Sequence, residues 1–145
     1  MTVGAAIAVL VGVLALATVL GLVLRRRTGR ARSTAALAAD DLAAAEDYGT
    51  AATLVQFSTP TCARCPATRR QLDVLADRHT GVRRIEVDLA ERPDLAERFD
   101  VMQTPTVLLL DAQRTVRTRF GGPPRPAELA AALGSVLTAD SPETR

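Results

Sequence analysis

The chain is poor in residue types that several functions need. Its 145 residues include no tryptophan, no lysine, one tyrosine, one histidine (His79) and two cysteines (Cys62 and Cys65). With so few aromatic side chains it lacks the stacking platforms that bind single-stranded nucleic acid. A structural zinc ion almost always has four cysteine or histidine ligands, and only three such side chains are present. These shortages argue against nucleic-acid binding and against structural zinc.

The charge is unevenly distributed along the chain. All 18 basic residues are arginines, and five of them lie in residues 1–32, a segment with no acidic side chain. Residues 33–145 hold 13 arginines against 16 acidic side chains, a net charge of −3. The folded part is therefore mildly acidic. The basic flank is better explained by membrane topology and by attraction to anionic lipid headgroups than by nucleic acid.

Residues 3–24 contain no charged side chain and consist almost entirely of Ala, Val, Leu, Ile and Gly. At about 1.5 Å per residue, a helix of this length crosses the roughly 30 Å hydrocarbon layer of a bilayer. We predict a transmembrane anchor over residues 1–25, followed by a basic linker over residues 26–34.

The arginines that follow the apolar run indicate its orientation. Arg25, Arg26, Arg27, Arg30 and Arg32 all lie on its C-terminal side, and only Met1 and Thr2 precede it. By the positive-inside rule the C-terminal flank stays in the cytoplasm. We therefore predict a single-pass membrane protein with its N-terminus outside and its domain cytoplasmic. The alternative is a cleaved or inverted segment whose domain faces the exterior.

Both cysteines lie in residues 58–67, S-T-P-T-C-A-R-C-P-A, between a predicted buried strand and a predicted helix. The first turn of a helix has unpaired N–H groups and the positive end of the dipole, so a thiolate there is stabilised. Cys62 is then the attacking thiol, and Arg64 adds a nearby positive charge. Cys65, one turn on and more buried, is the resolving thiol.

Three other interpretations of the pair stay open at this point. The cysteines can be inert core residues, half of a zinc site, or a structural disulfide. The redox interpretation is favoured because a Cys-x-x-Cys between a strand and a helix is typical of dithiol redox sites.

Hydrophobic periodicity predicts the remaining elements. Strands and helices alternate and end in a hairpin and a helix, which is typical of an α/β fold with a mixed sheet between helices. In order, we predict a helix over 35–48, a strand over 51–57, a helix from the cysteines to residue 81, a strand over 82–88, a helix over 91–99, a central strand over 106–110, an edge strand over 114–120, and a last helix containing Leu129, Leu133, Val136 and Leu137. The domain spans residues 35–138, and residues 139–145 form a flexible tail.

These features resemble the thioredoxin family over residues 35–137. The resemblance depends on C-A-R-C after a strand, on Thr104 and Pro105 before a central strand, and on Gly121 with Gly122 after the hairpin. It implies a thioredoxin-like three-layer sandwich, here preceded by one transmembrane helix. It also implies that Pro105 is cis, that the backbone of Thr104 pairs with a substrate strand, and that Gly121 faces the active site.

The sequence departs from the family pattern at the site. Thioredoxins usually have Trp before the first cysteine and Gly-Pro between the two, where this chain has Thr61, Ala63 and Arg64. They also bury an Asp where Gln56 stands, and an amide does not exchange a proton at physiological pH. We therefore expect slower electron transfer, or a reduction potential less reducing than the thioredoxin value of about −270 mV.

The resemblance implies a membrane-anchored thiol–disulfide oxidoreductase that reduces protein disulfides through a mixed disulfide at Cys62. Such an enzyme takes part in electron transport without a bound cofactor or metal. Its partners are disulfide-bearing proteins, possible membrane proteins among them, and an upstream flavoprotein reductase or small-thiol reductant. Two alternatives remain: an extracytoplasmic thiol reductase of the cytochrome-maturation type, and a non-enzymatic adaptor that keeps the fold.

Overall fold

The computed structural model describes residues 3–27, 29–33 and 37–139. The described part contains four helices and five strands. They are α1 Val3–Arg27, β1 Ala31–Ser33, β2 Ala52–Ser58, α2 Cys65–Asp77, β3 Val82–Asp88, α3 Pro93–Arg98, β4 Thr106–Asp111, β5 Val116–Gly121 and α4 Pro126–Ala139.

The five strands form one sheet in the order β1-β5-β4-β2-β3. β2 is parallel to β3, and the connection between them passes through α2, as a parallel crossover requires. The other neighbouring pairs are antiparallel. The sheet is therefore mixed, as the sequence predicts.

β2 lies in the interior of the sheet, and all seven of its side chains are buried. Val55 and Phe57 point to one face, where α3 and the segment before β2 close a hydrophobic cluster. Leu54 points to the other face, which α2 and α4 cover. Because side chains alternate along a strand, a strand covered on both faces has apolar residues at successive positions. The predicted three-layer α/β sandwich is confirmed.

α1 is apolar except for the arginines at its C-terminal end. Its side chains are exposed from Val3 to Arg26. Residues Val3–Arg26 are long and apolar enough to cross a membrane. A helix of this kind near the N-terminus fits a membrane span or a signal sequence, since both share its length and composition.

The helix predicted over residues 35–48 is wrong where the structure describes the chain; residues 35 and 36 lie outside the described residues. In place of a helix there is an isolated bridge between Ala38 and Thr115, then one short 3-10 turn, Ala45–Asp47. The alanine-rich composition favours a helix, but propensity is a weak preference that tertiary contacts override.

Tyr48 provides those contacts. Its hydroxyl is buried in the fold, donates a hydrogen bond to the C=O of Ala39 at 2.7 Å, and accepts the N–H groups of Leu42 at 3.0 Å and Ala43 at 3.3 Å. The backbone of this segment therefore wraps around one phenol and gives up the i to i−4 pattern of a helix.

β5 is not an edge strand, which corrects the prediction for residues 114–120. β1 pairs along its outer side, with Ala31 opposite Phe120 and Ser33 opposite Thr118. The alternation of apolar and polar residues in β5 indicates which face of the sheet each side chain occupies. It does not indicate whether another strand pairs along the edge of β5. β1 lies inside the segment predicted as the basic linker, residues 26–34, so part of that segment is built into the sheet.

We expect Tyr48→Phe to lower the free energy of unfolding by about 2 kcal/mol, because it leaves a buried C=O, a buried N–H group and a partly buried N–H group without their partner. The measurement is thermal or urea unfolding of the full chain in detergent micelles. Ser135→Ala is the control, since its exposed hydroxyl bonds only to the C=O of Ala131 and its loss should cost less than about 0.5 kcal/mol. Equal stabilities of the two variants would contradict the role given to Tyr48.

Candidate functional site

The two cysteines lie at the junction between β2 and α2. Cys65 is the first residue of α2, and Cys62 lies in the turn before it. The N–H of Cys62 donates to the C=O of Thr59 at 3.1 Å, and the N–H of Cys65 donates to the C=O of Cys62 at 3.3 Å. The sulfurs are joined in a disulfide of 2.11 Å. Sequence reasoning placed Cys62 in the first turn of the helix and Cys65 one turn further on; the structure instead places Cys62 before the helix and Cys65 at its first position.

The two sulfurs differ in access to solvent. Cys65 is buried, with 3% of its surface exposed, and Cys62 is half-buried. Both lie at the N-terminal end of α2, where the helix dipole stabilises a thiolate once the disulfide is reduced. A substrate disulfide can approach Cys62 and cannot approach Cys65 directly. This asymmetry suits the attacking and resolving roles predicted from the sequence.

A second loop lies against the first. The Thr104–Pro105 peptide bond is cis, as the resemblance implies. The hydroxyls of Thr59 and Thr104 are 3.3 Å apart and share a hydrogen bond, which joins the loop before Cys62 to the loop before β4. The C=O of Pro105 accepts the N–H of Gly122 at 2.8 Å. The loops that contain Cys62, Pro105 and Gly122 therefore meet at one end of the sheet.

The backbone N–H and C=O groups of Thr104 are available to a binding partner. Within the described ranges, neither its N–H nor its C=O forms a hydrogen bond. Its residue surface is partly exposed. An extended peptide could therefore pair with this residue by backbone hydrogen bonds, which is how strand addition supplies affinity without reading sequence.

Gly121, the last residue of β5, also lies at this end of the sheet. A Cβ on this residue would lie 3.0 Å from Nε2 of Gln103, closer than ordinary van der Waals contact. Its register partner is Thr106, the first residue of β4. Gly121 therefore leaves room for the loop that carries Thr104.

The structure places the two remaining predicted residues on the surface beside the disulfide. Thr61 and Arg64 are exposed. The guanidinium of Arg64 forms no ion pair or hydrogen bond with any residue that the structure describes. Its charge is thus not neutralised by a partner, although solvent weakens its effect on the sulfurs. Their contribution to catalysis stays a prediction.

Gln56 is fully buried below the disulfide. Its Nε2 donates to the C=O of Cys65 at 3.0 Å, and its Oε1 has no partner among the described residues. The amide therefore anchors the first turn of α2 and leaves one acceptor atom free in the interior. A buried acceptor without a partner is costly, and such a group commonly marks a functional position.

Sequence reasoning missed the polar group on the other side of the disulfide. Glu86 on β3 accepts hydrogen bonds from Ser58 at 3.0 Å, Arg69 at 2.6 Å and Arg84 at 3.2 Å. Burial by itself would raise the pKa of Glu86, but the hydrogen bonds from Arg69 and Ser58 outweigh burial, so the pKa lies below its ordinary value of 4.5. No local signal in the sequence identifies Glu86, because only the β2–β3 register brings it to the cysteines.

An open cleft of about 390 Å³ borders this group. Its lining joins the disulfide to the ion-pair network and to two further carboxylates. The lining residues are Ser58, Thr59, Pro60, Cys62, Cys65, Pro66, Arg69, Glu86, Asp88 and Glu91. In the described part of the chain, no three His, Cys, Asp or Glu side chains lie together as metal ligands.

Similarity to known proteins agrees with this geometry. The family profile described as Thioredoxin matches residues 39–135. Among solved structures, thioredoxin-2 of the malaria parasite is 23% identical with a TM-score of 0.53, covering 59% of this chain and 82% of its own. A thioredoxin mutant from Halobacterium salinarum is 22% identical with a TM-score of 0.53, covering 61% and 76%. No curated protein sequence matches the chain.

A mixed sheet that presents a Cys-x-x-Cys disulfide at a helix start, beside a cis-proline loop, defines a thiol–disulfide exchange domain. The chain belongs to the thioredoxin family. A thioredoxin domain with Cys62 and Cys65 at disulfide distance supports thiol–disulfide oxidoreductase activity in general terms.

We expect Glu86→Gln to lower the free energy of unfolding by about 1 kcal/mol at pH 7, because the amide is a weaker acceptor for Arg69 and Ser58 and solvent still reaches the group. A carboxyl whose pKa is lowered by folding stabilises the fold above its unfolded pKa and loses that effect as the pH falls through the folded value. The difference should therefore be complete above about pH 5 and shrink below 4.5.

Unfolding measured between pH 3 and pH 7, in the full chain and the variant, tests this expectation. Asp94→Asn is the control, since it also removes an ion-paired carboxylate, but one that pairs with a single arginine, Arg92, at an exposed position. We expect a smaller loss of stability there, because solvent screens an exposed ion pair. A Glu86→Gln effect that is the same at every pH would show that the carboxylate charge contributes nothing.

Proposed function

We propose that the chain is a membrane-anchored thiol–disulfide oxidoreductase that reduces protein disulfides. The observation that carries the proposal is the arrangement at the sheet end: a half-exposed Cys62, a buried Cys65 and the free backbone of Thr104 lie together. An attacking sulfur, a resolving sulfur and a docking strand are the three parts that reduction of a polypeptide disulfide needs.

The reaction has two displacements. The Cys62 thiolate attacks one sulfur of the substrate disulfide, forms a mixed disulfide and expels the other substrate sulfur as a thiolate. The Cys65 thiolate then attacks the Cys62 sulfur and expels the second substrate thiolate. Two electrons pass from the protein dithiol to the substrate, whose two thiolates take up protons. The enzyme is left with the Cys62–Cys65 disulfide that the structure contains.

A further turnover needs two electrons from a reductant. An upstream flavoprotein reductase fed by NADPH, or a small thiol, would attack the disulfide by the same exchange chemistry. The chemistry uses the two sulfurs alone and calls for no bound cofactor. Gln56 lies at the position of the family's buried acid and cannot relay a proton, so we expect a slower resolving step or a less reducing potential than in thioredoxin itself.

The anchor and the side of the membrane are part of this proposal. α1 has the length and composition of a membrane span, and five arginines follow its apolar part within eight residues. The positive-inside rule then favours a cytoplasmic domain. A disulfide substrate at the same membrane gains effective concentration from that confinement.

Cysteine labelling in cells tests the orientation. In a background without Cys62 and Cys65, a Val3→Cys variant should react with an impermeant maleimide in intact cells. A Ser135→Cys variant, at an exposed position on α4, should react only after permeabilisation. Val3 begins the apolar segment and Ser135 lies beyond its C-terminal end, so the two positions are at opposite ends of a helix that spans the membrane. The reverse pattern would place the domain on the outer face, as in the extracytoplasmic alternative.

Trapping tests the chemistry. We expect Cys65→Ser to accumulate mixed disulfides through Cys62 at least about tenfold above the wild-type level, because substrate release needs the resolving thiol. Non-reducing electrophoresis of the full chain after acid quench measures them. Cys62→Ser is the matched control and should trap none, since the remaining thiol is buried. Absence of trapped species in both variants would favour a non-enzymatic adaptor.

A further inference from the structure

The chain joins the sheet at the end that carries the disulfide. β1 is antiparallel to β5 and places Ala31 opposite Phe120 near the C-terminal end of β5. Before β1, the N–H of Gly29 donates to the C=O of Gly121 at 2.7 Å. Gly121 is the register partner of Thr106, which in turn lies opposite Phe57 on β2. The end of α1 and the cysteine loop are therefore at the same end of the sheet.

Several contacts fasten the junction between α1 and β1. Arg125 donates to the C=O of Arg26 at 2.9 Å and to Glu128 at 3.2 Å. The second oxygen of Glu128 accepts the N–H of Ala31 at 3.0 Å. Through these bonds, the loop after β5 and the first turn of α4 hold the chain as it leaves the helix.

Gly29 is required for this path. Its φ is +74°, and a Cβ would lie 2.3 Å from the C=O oxygen of Pro123. A side chain would therefore meet both an unfavourable backbone conformation and a steric overlap with backbone. The tight approach of Gly29 to the loop after β5 indicates that the chain is fixed to the domain at this residue.

Strand geometry gives the distance from this junction to the disulfide. β1 and β2 are separated by β5 and β4, hence by three strand spacings of about 4.8 Å, or about 14 Å. α1 ends at Arg27, two residues before Gly29. A free segment the length of residues 26–34 could instead extend about 30 Å. The built-in strand thus keeps the disulfide at a fixed, short distance from the start of β1.

The surface around the junction suits such a position. Arg25, Arg26, Arg30 and Arg32 are exposed there, and basic side chains next to a span are attracted to anionic headgroups. Met102, which is 84% exposed, lies on the loop that leads to Thr104. The same end of the domain therefore presents positive charge beside the bilayer and an apolar side chain beside the substrate-pairing residue.

We infer that β1 holds the Cys62–Cys65 pair at the bilayer surface, so that the enzyme acts on disulfides in extended segments immediately outside the membrane span of another integral membrane protein. This inference rests on the proposed membrane-anchored reductase function. It adds a limit on reach: a disulfide far above the bilayer is a poor substrate even when it belongs to a membrane protein.

The test uses the full chain, reduced in advance, in liposomes. Two synthetic single-span peptides serve as probes, each with one disulfide loop on a polyproline spacer that raises it about 10 Å or about 50 Å above the span. In a single turnover we expect the near disulfide to be reduced at least about fivefold faster. Soluble insulin is reduced in parallel as a measure of the underlying chemistry.

Two insertions separate reach from activity. A Gly/Ser spacer of about 12 residues after Arg27 keeps β1 paired but frees the domain from α1. The near-to-far ratio, which is the reduction rate of the near disulfide divided by that of the far one, should then fall below about twofold. The same spacer after Ala139 is the matched control and should leave the ratio unchanged. A ratio near one in the wild type, or a ratio that survives the spacer after Arg27, overturns the inference.

A point substitution gives a second test of the same junction. Gly29→Val should lower the near-to-far ratio as the spacer does, whereas Gly134→Ala, where a Cβ has no neighbour within 4 Å, should not. All variants should reduce insulin at the wild-type rate. Loss of insulin reduction by the wild type itself would instead refute the proposed function, and this inference with it.

Discussion

The hydrogen-bond register across β2, β4 and β5 is the constraint on which the site depends. The register places Phe57 opposite Thr106 and Thr106 opposite Gly121. The loops that follow Phe57 and Gly121, and the loop that precedes Thr106, therefore lie at the same end of the sheet. None of these loops alone makes a reactive site. A shift of one residue would turn each buried side chain to the opposite face, so the tightly packed cores on both faces hold the register and, through it, the chemistry.

The two sulfurs differ in their exposure to solvent, and this difference suits them to different roles. Cys62 sits in a turn with partial access to solvent, and Cys65 is covered as the first residue of α2. Gln56 secures that first turn from below by bonding to the C=O of Cys65. The interior beneath the site is therefore polar without being ionisable at that position. The charged groups lie instead at the side, where Glu86 and its arginines border the cleft.

The sequence predicts the cysteine pair, the cis proline and the central strands better than it predicts the outer parts of the fold. The paired cysteines, Pro105 and the apolar strands carry local patterns, and these elements appear where expected. The segment around Tyr48 fails as a helix prediction because one buried hydroxyl reorganises its backbone, and this depends on residues brought together only by folding. β1 is three residues long and has no hydrophobic period, so only its partner β5 reveals it.

The position of β1 also affects how the domain behaves in solution. It occupies the outer hydrogen-bonding side of β5, and the opposite border of the sheet, β3, carries the charged residues Arg83, Arg84 and Glu86. Charge on a border strand discourages another strand from adding to it, whereas an uncovered row of N–H and C=O groups invites addition. A fragment cut after Ser33 would expose such a row on β5 and tend to self-associate. The stretch that follows α1 thus also covers the outer hydrogen-bonding side of β5.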